Sequence, residues 1–210
     1  MTPAPAPWRD RILTLGPSVE LVAWLASLPP ETTYTDAWAA CPRGDWMLWL
    51  IARCEPVRSS AAWSDERKPL VLASVDCARL ALPAFEARYP GDDRPRRCLD
   101  TTAAWCRGET ARKGVERARR GAWAAAVYAD ADAAYAYAAY AYAAAYAADA
   151  ADAADAAASA SAAASASASA SAWAAASDAA DAAYDGARAR VLRECADIVR
   201  DRFPAAPDLP

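Results

Sequence analysis

Histidine is absent from all 210 residues of this chain. It is the commonest general base and the one side chain whose ordinary pKa lies near neutrality. Its absence removes Ser-His-Asp and Cys-His catalysis and most catalytic zinc chemistry. Carboxylate pairs and lysine or cysteine nucleophiles remain open. Basic residues are also missing from a long stretch. Between Ala122 and Asp185 there is no lysine or arginine, while eight aspartates occur there. No proline interrupts the chain from Thr110 to Phe203, and glycine appears in that span only at 114, 121 and 186. No CxxC pair, glycine-rich phosphate loop, HExxH or GxSxG motif occurs, so no motif calls for a metal or cofactor.

The hydrophobic fraction of 56% is inflated by alanine, which buries little area per residue. Larger apolar residues concentrate before residue 125 and after residue 190, and a conventional core is expected there and hardly anywhere else. The net charge of −4 is segregated. The alanine-rich tract is purely acidic and the remainder mildly basic, which bears on partners more than on fold. The six cysteines, at 41, 54, 77, 98, 106 and 195, read as reduced, mostly buried thiols of a cytoplasmic protein. The opening MTPAPAPWRD lacks the apolar core of a signal peptide, and the alanine tract is too polar to span a membrane.

Local signals predict an all-α fold. Ser18 caps a helix carrying Val19, Val22 and Leu25 at helical spacing, ended by Pro29 and Pro30. A second helix covers Tyr34 to Ala40. Asp45 is expected to cap a third, DWMLWLIAR, which is apolar all round and therefore central. Ser59 to Lys68 reads as a loop. Pro69 opens a helix running toward Arg88 that Pro83 kinks or splits. A turn at Tyr89 to Pro95 leads into a helix ending at Gly108.

The stretch AADAADAADAAASASAAASASASASA, Ala147 to Ala172, favours helix because alanine has the best helix propensity. Serine weakens helices locally, so Ser159 to Ser171 is the expected place for a turn or frayed patch. A single helix from Thr110 to Arg202 would be about 140 Å long. Folding back into two or three antiparallel helices packed alanine on alanine is more favourable. The expected organisation is a disordered lead over 1–7, a helical bundle over 8–108, and an alanine-rich helical extension over 109–203. The C-terminal helix of that extension packs on the bundle, and a tail covers 204–210.

Two regions suggest a binding surface. Tyr128, Tyr135, Tyr142 and Tyr146 fall on one helical stripe. Such a stripe either packs against a neighbouring helix or forms an exposed recognition face. Asp149, Asp152 and Asp155 drift slowly round the same helix. They read as a solvated face or as an acidic surface that engages a basic protein. Their divergence argues against a metal site. The second region is the turn holding Asp92, Asp93, Arg94 and Arg96, where local pairing at a helix N-terminus is the simpler use of the charges. A nucleic-acid site is disfavoured by the acidic total.

Four stretches, LTLGPSVELVAWL, DWMLWLIAR, FEARYPGDDRPRRCLDTTAAWCRGE and the closing CADIVRDRFP, occur in this order around the alanine-rich insert. In this the chain resembles the Imm5-like immunity proteins of bacteria and their phages. The resemblance implies a non-enzymatic protein that binds and neutralises a cognate protein toxin by occlusion. It assigns no catalytic residue and leaves the oligomeric state open. The alternatives from the residues themselves are a scaffold whose alanine helices self-associate and an enzyme using carboxylates alone.

Overall fold

The computed structural model describes residues 7–131, 135–152, 156–176 and 181–210. The expected disordered lead, apart from Pro7, lies outside them. Among the described residues all regular structure is helical. The α-helices are α1 (Trp8–Thr14), α2 (Val19–Ser27), α3 (Tyr34–Ala40), α4 (Gly44–Arg53), α5 (Lys68–Arg79) and α6 (Leu82–Arg88). They continue as α7 (Arg94–Cys106), α8 (Arg112–Ala131), α9 (Tyr135–Asp152), α10 (Ala156–Ala176) and α11 (Asp181–Arg202). A single 3₁₀ turn, Asp65–Arg67, precedes α5.

The short N-terminal helices start where their caps dictate. The Ser18 hydroxyl accepts from the Leu21 amide at 3.3 Å. Thr33 and Asp36 form a reciprocal capping box that opens α3. Pro83 splits the predicted long helix into α5 and α6, and Gly108 ends its turn at a φ of +80°, a conformation that favours glycine.

One capping expectation is corrected. Asp45 does not cap α4; the helix begins a residue earlier, at Gly44, and Asp45 sits buried in its first turn. Gly44 lies hard against α11, where an added Cβ would come within 2.5 Å of the Cys195 carbonyl carbon. This backbone-on-backbone contact fixes where α4 starts. Asp45 turns inward instead. It accepts from Arg43 Nη2 at 2.6 Å and from the Ser165 hydroxyl of α10 at 2.8 Å.

The core differs from the expectation that it stops where the large side chains stop. Ala143, Ala144, Ala145, Ala147, Ala148, Ala150 and Ala151 of α9 are buried. They belong to one hydrophobic cluster with Met47, Leu48, Leu70, Leu99, Leu192 and Val199. Helix α9 contacts α5, α6, α7, α8 and α10, so the alanine-rich helix is enclosed rather than appended. Each alanine contributes only about one methyl group of transfer energy. It also surrenders no side-chain entropy on burial, and it lets backbones approach. The Cys98 thiol of α7 donates directly to the Ala144 carbonyl at 3.4 Å.

The expected turn or fray at Ser159 to Ser171 does not occur, because α10 is helical throughout Ala156–Ala176. The alanines between the serines carry the propensity, and contacts with α4, α5, α9 and α11 hold the helix in place. At the other end of the chain, residues 204–210 pack against α1 and α3. The Tyr34 hydroxyl donates to the Pro207 carbonyl at 2.9 Å, and Leu209 is buried.

Candidate binding surface

The acidic residues of α9 are tied into the fold. Asp149 accepts from Arg119 Nη1 at 2.6 Å, and Asp152 accepts from the same nitrogen at 3.3 Å. Arg119 projects from α8, which runs antiparallel to α9 through this contact and through Trp123 on Tyr146. Asp152 also accepts from the Trp63 indole at 2.7 Å, with Arg112 at 3.9 Å. Two aspartates near a helix C-terminus oppose the helix dipole, and Arg112 and Arg119 supply the compensating charge from α8. The backbone end of α9 is satisfied in the same place: the Trp63 amide donates to the Ala151 carbonyl at 2.8 Å. To make that contact Trp63 adopts a φ of +64°, and its ring meets Trp105 edge-on at 5.2 Å. Burial pushes the Asp149 carboxyl above its ordinary pKa, with Arg119 pulling against it.

The structure thus gives these aspartates partners that neither a solvated stripe nor a free acidic face would have. Asp155 lies outside the described residues, as does the side chain of Tyr135. Trp63 and Arg119 are the residues that sequence reasoning passed over. In the sequence Arg119 stands between Arg117 and Arg120 with nothing local to mark its partner thirty positions away.

The tyrosine stripe divides. Tyr142 and Tyr146 pack edge-on against Trp123 of α8, with centroids at 4.9 and 5.5 Å, which is the packing role. Tyr128, 60% exposed beside the equally exposed Val127, faces outward. Its ring lies 6.0 Å from Tyr89, which in turn contacts Phe85. Tyr128 therefore meets the start of the turn that carries the other predicted residues.

In that turn, Arg94 donates to Asp92 through Nε at 2.8 Å and Nη2 at 2.5 Å, while the Arg94 amide donates to the same carboxylate at 3.1 Å. These bonds hold the Asp92 carboxyl below its usual pKa. Arg97 pairs with Asp93 at 3.3 Å, and Arg96 pairs with Glu86 of α6. Local pairing is the observed use of the charges, and it ties the turn to α6 and to the first turn of α7.

Elsewhere, a groove of about 680 Å³ is lined by Glu20, Arg43, Asp45, Trp46, Ser165 and Arg188 among others. It gathers two acids, but both are committed to structure. The Glu20 carboxyl is held low by its own backbone amide and the Ser18 hydroxyl, as befits the first turn of α2. Asp45 is bonded as described above. The carboxyl raised by burial, Asp149, is not part of this groove. Among the described residues no cluster of three or more Asp, Glu or Cys is placed to hold a metal ion, and no helix is long and apolar enough to cross a membrane.

The family model described as Imm-5 like putative immunity protein matches residues 61–172, more than half of the chain. The chain belongs to this family. No curated protein and no solved structure gives a match. In this Imm-5 like protein the matched span opens beside Trp63 and runs from the 3₁₀ turn into α10. It holds the α9 ion network, the Asp92–Arg94 turn and Tyr128. The groove around Asp45 draws much of its lining from residues before the matched span.

Proposed function

We propose that this protein is a non-enzymatic immunity protein that binds a cognate protein toxin and blocks it by occlusion. The observation that carries the reading is where the family match falls. It includes an exposed aromatic, Tyr128, beside a charged turn whose ion pairs are formed without a partner. Tyrosine and arginine together are the composition of a binding hot spot. Preorganisation lowers the entropy cost of binding. We assign recognition to Tyr128 with Asp92, Asp93, Arg94 and Arg96. Asp149, Asp152 and the tyrosines packed on Trp123 support that surface from behind. All six cysteines are free thiols, which favours action in the reducing cytoplasm.

The reading predicts that a neighbouring gene encodes a toxin, and the test is co-expression with that protein. Restored growth, together with a stoichiometric complex on size exclusion, is the expected result. Tyr128→Ala should weaken that complex by at least about tenfold. Growth arrest that persists despite full expression of the folded protein would remove the immunity reading. Concentration-dependent self-association alone would then favour the scaffold.

A further inference from the structure

Beside the turn, the seam between α7 and α8 opens into a groove of about 330 Å³ lined by Arg94, Arg97, Thr101, Gly114, Arg117, Ala118 and Gly121. Its floor is made of residues 114, 118 and 121, one stripe of α8. Tight packing does not demand glycine at 121. A Cβ there would meet Arg94 only at 3.9 Å, an ordinary contact. The groove is open because a side chain is missing.

Its rim is cationic. Arg94, Arg97 and Arg117 line it, Lys113 and Arg120 are exposed on α8 at helical spacing on either side of Arg117, and among the described residues no ion pair engages Lys113, Arg117 or Arg120. Glu116 is paired with Arg112 and Asp100 with Arg79, away from the groove, while Asp92 is paired with Arg94 of its lining. Among the described residues Arg97 has one ion pair, an exposed one with Asp93. In a chain of net charge −4, this is a local surplus of positive charge. Tyr128 stands one further heptad along the same stripe of α8.

We infer that this glycine-floored, arginine-rimmed groove receives an acidic segment of the partner protein, with Tyr128 packing at its end. The inference rests on the immunity reading for the partner's identity, but the groove's chemistry stands apart from it. Carboxylates suit the rim because guanidinium groups bind them in bidentate fashion. A nucleic acid suits it less well. The groove's volume of about 330 Å³ admits a few side chains rather than a duplex.

Two variants of the full chain separate charge from shape. Arg97→Glu/Arg117→Glu reverses the rim. Gly121→Leu fills the floor while replacing glycine by a better helix former. Arg190→Glu/Arg193→Glu on α11 serves as a control at exposed cations elsewhere. The probe is a fluorescein-labelled decaglutamate peptide followed by anisotropy at low salt, in parallel with a 20-nucleotide single-stranded RNA and a 20-base-pair duplex RNA. Decaglutamate should bind, weaken as salt is raised, and lose at least about tenfold in affinity in the rim variant but not in the control. Gly121→Leu should also weaken it, with the melting curve unchanged or raised. Equal binding by the rim variant, no binding by the native chain, or preference for either RNA would overturn the inference.

The toxin co-expression assay then separates the two claims. Protection by both native and rim-reversed chains would overturn the groove and leave the immunity reading standing. Absence of protection by the native chain removes the immunity reading, and the peptide result alone then decides the groove.

Discussion

At the residue scale, Asp149 shows how one side chain is pulled two ways. Burial disfavours its charge and Arg119 favours it, and burial prevails, since the carboxyl titrates above its ordinary value of 3.8. A raised carboxyl binds its proton more tightly in the folded state than in the unfolded one. Its contribution to stability is therefore greatest at low pH and is lost as pH rises through the raised value. Asp149→Asn keeps an oxygen to accept from Arg119 and removes the titration. Urea unfolding from pH 3 to pH 7 should show the native chain losing stability relative to the Asn variant as pH rises from about 4. A native chain that gains on the variant over that range would mean that Arg119 outweighs burial. The same physics holds the thiols inert. Burial pushes Cys98 and Cys106 up to about 12 and Cys41 up to about 11, far from the thiolate form at neutral pH.

At the element scale, α9 is where alanine composition is put to use. Its buried face touches five other helices, with no side-chain length available to absorb an error. Ala147→Leu adds three carbons to a fully buried site and should destabilise the protein by about 1–3 kcal/mol in thermal or urea unfolding. An unchanged midpoint would mean that α9 has room that the burial of its neighbours denies. The same element marks the limit of what the sequence makes legible. Helices α2 and α3 can be read directly because Ser18 caps and Pro29 breaks. The split between α5 and α6 is announced by Pro83. For α9 and α10, helix type is legible from propensity, but orientation is not: when nearly every position is alanine, no contrast marks one face as inner. The pairing of Asp149 with Arg119, and the left-handed backbone of Trp63, depend on which helix lies opposite, which local pattern does not encode. Tyr128 and the Asp92 turn were each visible as candidates, and only the tertiary fold brings them together.

At the scale of the whole molecule, a cluster that joins Leu48, Ala147 and Leu192 predicts one cooperative unfolding event. Helix content followed by far-ultraviolet dichroism reports mainly α8 to α11. Near-ultraviolet signals report packed aromatics such as Trp46 and Trp105. The two transitions should coincide within a degree or so; helix loss that lags well behind the aromatic transition would mean that the alanine helices stand by themselves. The enclosure of α9 also bears on heredity. As letters, the Ala-Ala-Asp triplets are interchangeable, and repetitive coding sequence is prone to gain or lose a unit during copying. As structure, one extra triplet advances the chain by about 300°, leaving everything beyond it turned by about 60°. Asp149 and Asp152 would keep their places, since the repeat restores the same letters there, but every residue of α10 would stand three positions later and address the wrong neighbour. A tract that reads like a stutter is therefore held to a single length, its count set by the helices packed around it.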